Sequence, residues 1–127
     1  MSITMGEYLK RSAATDLRDH SVVRNRLSNE NIDLLHAALG LQTEGGELAD
    51  QVKKHLFYGR ELDKVNIKEE AGDILWYMAV ILRRLGLTFE DVAQANIDKL
   101  ELRYRGSFNE WDACNRDTDK ERELLER

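Results

Sequence analysis

Proline is absent from this chain of 127 residues, and cysteine occurs once, as Cys114. The first absence removes the strongest helix breaker and suits a chain that is mostly helix. The second excludes an internal disulfide and points to a reducing, cytoplasmic setting. Cys114 has no evident base beside it in the sequence and reads as structural or incidental. No apolar run approaches the ~18 residues of a membrane span. The N-terminus also lacks the apolar stretch of a secretory signal. Positive charge is in short supply: 19 Lys and Arg stand against 24 Asp and Glu, for a net charge of −5. That balance argues against a general nucleic-acid binder. There is no strand-like alternation of useful length and no solenoid repeat. What remains is one domain's length of chain, residues 1–127, with apolar content for one core.

The patterning is helical. Thr4 and Glu7 form a capping box for a short helix over 4–14. Residues 15–27 read as a turn or irregular segment. Ser28 or Asn29 opens a long helix, with Leu34, Ala38, Leu41, Leu48, Val52 and Leu56 gathered on one side. It ends near Tyr58 and Gly59, where glycine can take the left-handed conformation. Asn66 is expected to open the next helix, with Glu69 as its reciprocal cap. Its apolar stripe is Ile67, Ala71, Ile74, Leu75, Met78, Ile81, Leu82 and Leu85, and Gly86 ends it. Thr88 caps a third helix, with Asp91 in its first turn. Gly106 breaks that pattern, and Phe108 and Trp111 are placed to dock a short final element. Residues 112–127 are a charged tail, expected to be a solvated or frayed helix.

Two of these helices carry acid pairs at the i, i+3 spacing that shares a helix face. The first is Glu44 and Glu47; the second is Glu70 and Asp73. Such pairs are common in an acidic chain, as at Asp16/Asp19 or Glu123/Glu126, and most are solvated helix faces. These two differ because each encloses only small residues: Gly45 and Gly46, then Ala71 and Gly72. A glycine inside a helix costs about 1 kcal/mol against alanine. Three of them call for a reason, such as close approach of a second backbone or a ligand. In both helices the acid stripe flanks the apolar stripe with the same sense, as two helices converging on one site would show. Four carboxylates brought together would repel too strongly to stay ionised without a cation. Mg²⁺ is the natural occupant, with Mn²⁺ possible, since it takes hard oxygen ligands and shares its shell with phosphates. A di-iron carboxylate bundle uses Glu-x-x-His pairs. None of His20, His36 and His55 sits three residues after a glutamate.

An anionic ligand on such a cation would also need polar and basic partners. Asn96, Lys99 and Arg103 share one face of the third helix, and Lys54 lies on the acid stripe beyond Glu47. Ordinary surface charge is the competing reading for Lys54 and Arg103, and a bundle-flanking face for Asn96 and Lys99. His36 reads best as a packed or capped imidazole. Tyr77 suits either a stacked base or a bundle seam. Trp76 falls off both stripes, where it could mediate subunit contact.

These residues resemble the MazG-like, all-α nucleoside triphosphate pyrophosphohydrolases. The family signature is Glu-x-x-Glu, a gap, then Glu-x-x-Asp. Here it is Glu44-Gly45-Gly46-Glu47, 22 intervening residues, then Glu70-Ala71-Gly72-Asp73. The flanking text is similar too: the run 35–41 leading to Thr43-Glu44, the run Ile74-Leu75-Trp76-Tyr77, and the block Asn96 to Tyr104. The resemblance covers about 28–108, and leaves 1–27 and 112–127 outside it.

The resemblance implies a helical bundle whose core is completed by oligomerisation, as homodimer or homotetramer. It implies hydrolysis of a nucleoside triphosphate, (d)NTP, to monophosphate and pyrophosphate, in nucleotide-pool house-cleaning. Glu44, Glu47, Glu70 and Asp73 would bind Mg²⁺ and carry catalysis, the metal polarising phosphate oxygens and helping to produce the attacking hydroxide. Lys54, Asn96, Lys99 and Arg103 would contact phosphates or sugar. Some family members carry a further acid directly before the first glutamate, proposed to activate water; here that position is Thr43, so the general base is unassigned. The competing reading is a non-catalytic helical oligomerisation or regulatory module with a vestigial metal site.

Overall fold

Residues 2–126 are described by a computed structural model. They form helices joined by short connections, with no strand among the described residues. Two compact units divide the chain, Met1–Ile32 and Asp33–Arg127.

In the first unit, α1 spans Met5–Ser12 and runs into a 3₁₀ turn at Ala13–Thr15. Thr4 and Glu7 make the reciprocal capping box, Glu7 N–H donating to the threonine hydroxyl and Thr4 N–H donating to the Glu7 carboxylate. The segment expected to be irregular holds one short helix, α2, at Ser21–Arg24. No residue of these elements is buried.

The long helix α3 spans Asn29–Tyr58, beginning in the first unit and supplying the second with most of its length. The helix α4 spans Lys64–Leu85. Its cap is Asp63 rather than Asn66: one Asp63 carboxylate oxygen accepts from the N–H groups of Val65 and Asn66, each at 3.0 Å. Gly86, at φ 67°, closes α4 in the left-handed conformation that glycine adopts without strain. Thr88 then caps α5, Phe89–Tyr104, through a capping box with Asp91. Two short helices follow, α6 at Glu110–Cys114 and α7 at Thr118–Leu125.

The C-terminal segment is not the solvated tail that its composition suggests. Glu121 is buried on α7 and receives both Arg103 nitrogens, Nε at 2.8 Å and an Nη at 2.7 Å, with Arg116 Nη at 2.7 Å. A bidentate carboxylate–guanidinium fork is among the stronger charged contacts a protein makes. It pins α7 to α5. The two guanidinium groups hold the Glu121 carboxyl down at about 2, and Arg103 is correspondingly held in its charged form.

The apolar stripes are only partly covered. Leu34, Leu41, Leu48, Ile74, Met78 and Ile81 are half-buried, while Val52, Leu56, Leu75 and Leu85 are exposed. Among the described residues, Ala37 and Leu82 are the buried apolar ones.

Candidate metal centre

The helices α3 and α4 run antiparallel in a fixed register. Asp33 ion-pairs with Arg84. Seven residues further along α3 and seven back along α4, Gly40 meets Tyr77. A Cβ on Gly40 would lie 2.3 Å from ring carbons of Tyr77, so the ring occupies the space a side chain would fill. Four steps further on each helix come Glu44 and Asp73, and three more bring Glu47 level with Glu70. The sequence places a pair of acids on each helix, and the register brings Glu44 and Glu47 of α3 to Glu70 of α4.

Glu44, Glu47 and Glu70 each offer a carboxylate oxygen, all within 4.8 Å of one another. Their exposure is graded. Glu47 is exposed, Glu44 half-buried, and Glu70 buried at 4%. Burial raises the Glu44 pKa, and the hydrogen bond with Glu70 and the charges of Glu47, Asp73 and Glu70 push it the same way. Three crowded oxygens and a carboxyl driven towards its protonated form are the marks of a site short of positive charge. A divalent cation with a preference for oxygen ligands fits that donor set. Asp73 stands outside the tight trio, exposed, with its charge acting on Glu44.

The remaining expected site residues fall in different surroundings. Lys54 ion-pairs with Asp50 at 2.6 Å, and both line a hollow of about 470 Å³ with Thr43, Glu47, Gln51 and Asn66. Arg103 is engaged by Glu121. Asn96 is exposed and Lys99 half-buried on α5. No hydrogen bond or ion pair among the described residues joins Asn96, Lys99 or Arg103 to the acid cluster. Thr43 donates its hydroxyl to the Gly40 carbonyl at 2.9 Å. His36 is exposed rather than packed in a core, its ring edge-on to Tyr77, and Trp76 meets the same tyrosine edge-on.

Among the described residues, no second backbone of the chain closes on the glycines between the acids. Built Cβ atoms on Gly45, Gly46 and Gly72 meet nothing within 4 Å, and the close approach falls at Gly40. Two residues beside the acids also escaped the sequence reading. Asp50 holds Lys54, and Asn66 donates its amide to Glu70 at 2.9 Å. The i, i+4 spacing of Asn66 and Glu70 was the available signal.

An antiparallel helix pair with three glutamates converging across it is an all-α frame built around a candidate cation site. The family model of the MazG nucleotide pyrophosphohydrolase domain matches residues 33–108, and the chain belongs to that family. It is similar to the Gene 37 protein of Mycobacterium phage L5, 35% identical over 77 residues. That match covers 55% of this chain and 65% of the phage protein, so the chain spans less than two thirds of its relative's length. No solved structure matches the chain.

Proposed function

We propose that this chain is a Mg²⁺-dependent nucleoside triphosphate pyrophosphohydrolase, cleaving (d)NTP between the α and β phosphates to give (d)NMP and pyrophosphate. The observation that carries this reading is the convergence of Glu44, Glu47 and Glu70 within 4.8 Å in a chain of this family. Glu44, Glu47 and Glu70 hold the cation, and Asp73, one turn along α4 from Glu70, completes the acid set. A bound Mg²⁺ supplies Lewis acidity at the phosphate oxygens and lowers the pKa of water. Lys54, beside the Glu47 hollow, meets phosphate oxygens once it releases Asp50. Asn96, Lys99 and Arg103 are assigned to the phosphates and sugar. Thr43 has no carboxylate, so water activation falls to the cluster itself.

The protein acts as a homodimer or homotetramer. The exposed apolar residues Leu35, Leu39, Leu56, Leu75 and Trp76 along α3 and α4 support a covering by sister chains. No helix among the described residues is long and apolar enough to cross a membrane. The exposed, unpaired Cys114 suits a reducing cytoplasm.

A pyrophosphate-release screen over standard and modified nucleoside triphosphates, with Mg²⁺ and with chelator, tests the activity. Release is expected only with metal. Glu47→Ala and Asp73→Ala are expected to lower it by at least the ~10–100-fold that weakening a metal site's supporting shell costs. Undiminished turnover in both variants sinks the assignment of the acids. Silence across the whole panel leaves a non-catalytic helical module.

A further inference from the structure

We propose that Asn66 is a positioning residue for the cation site, holding the Glu70 carboxylate in the cluster through its side-chain amide. The inference rests on the reading of the acids given under Proposed function. Glu70 is the most buried of the three glutamates, at 4% exposure. Among the described residues, the hydrogen bond it accepts comes from Asn66 Nδ2, at 2.9 Å on Oε1. The amide orientation follows from chemistry: an ionised carboxylate only accepts, so the nitrogen must face it.

The other end of the same amide shows what this arrangement gives up. Asn66 Oδ1 is buried with no donor among the described residues. A buried acceptor without a partner lowers stability, a cost borne by the same side chain whose nitrogen donates to Glu70. The gain lies at Glu70. The Asp63 cap takes the Asn66 backbone N–H at 3.0 Å and fixes that residue in the first turn of α4. One turn on, Glu70 has one oxygen occupied by the amide. The same carboxylate offers an oxygen within 4.8 Å of those of Glu44 and Glu47. A ligating carboxylate is commonly oriented in this way by a hydrogen bond from outside the ligand set.

Direct Mn²⁺ titration of the full chain by calorimetry tests this, with three variants beside the wild type. Glu70→Gln should lose most of its affinity; wild-type affinity in that variant, or no Mn²⁺ binding by the wild type, overturns the metal-site reading and this inference with it. With the site established, Asn66→Ala should keep its helix content and bind Mn²⁺ about 10–100-fold more weakly. Asn66→Asp keeps the shape, removes the donor and adds a negative charge. It should also bind more weakly, although charge alone would tighten a cation, and it decides the question if the alanine variant fails to fold. The Mg²⁺ concentration that half-activates pyrophosphate release should rise with the Mn²⁺ constant, with turnover recovered at saturating Mg²⁺. A side chain that only maintained the fold would lower turnover and leave that concentration in place. Affinity within about threefold of wild type for Asn66→Ala, or undiminished in Asn66→Asp, overturns the assignment to Asn66 alone.

Discussion

Gly40 and Gly72 are both helical glycines, and their surroundings predict opposite responses to the same change. At Gly40 a methyl group would overlap the Tyr77 ring. Overpacking of this kind costs about 1–3 kcal/mol, more than the ~1 kcal/mol that alanine returns in helix propensity. Gly40→Ala is therefore expected to lower the urea midpoint and to weaken Mn²⁺ binding, since Tyr77 stands one turn from Asp73. At Gly72 a methyl group meets open space. Gly72→Ala should gain about 0.5–1 kcal/mol in the same denaturation at fixed protein concentration. If the glycine is kept clear for a nucleotide or a sister chain, that gain will come with weaker turnover or weaker assembly. The sequence showed that glycines cluster at the acids. It could not show which one touches something, because that depends on a tyrosine 37 positions away, at Tyr77, meeting Gly40.

The helix ends were legible where the cap is local. Thr88 with Asp91, and Gly86 with its positive φ, stand where the sequence put them. Asp63 was missed because its loop is rich in charge and a second plausible cap, Asn66, follows it. Asp63→Ala should cost about 1 kcal/mol (0.5–2) of stability, measurable by chemical denaturation. The helix α7 was misjudged for a different reason. Its charges look solvated until Glu121 is paired with Arg103, 18 residues back. The pairing makes α7 docking acid-sensitive. Glu121 titrates at about 2 in the fold, below its ordinary 4.5. A depressed carboxyl stabilises the docked state above the higher value, and that contribution fades as pH falls from about 4.5 towards 2. Hydrogen exchange should show protection over Thr118–Leu125 declining across that interval, and Glu121→Gln should show the decline already at neutral pH.

For the molecule as a whole, the all-α architecture was readable in advance, because it follows from helical periodicity, whereas the approach of Glu70 to Glu44 and Glu47 depends on the register between two helices. The weight of exposed apolar surface was not readable either. Leu56 is 68% exposed and Leu75 58%, although the pattern marks both as core. A stripe shows that a helix needs a partner without showing whose chain provides it. Sedimentation should find a dimer or tetramer at micromolar concentration. A charged replacement such as Leu75→Glu should shift it towards monomer while helix content persists. A stable monomer of the unaltered chain would require another cover for those residues.

Tyr77 seated against Gly40 works as a detent. Sliding one helix past the other by a single turn, about 5.4 Å, would drive the ring into the neighbouring side chains and carry Glu70 out of level with its partners across the seam. Axial travel is thus blocked at the point nearest the acids. Loading or stripping the ion should leave both backbones superimposable, and the adjustment should be borne by carboxylate rotamers alone.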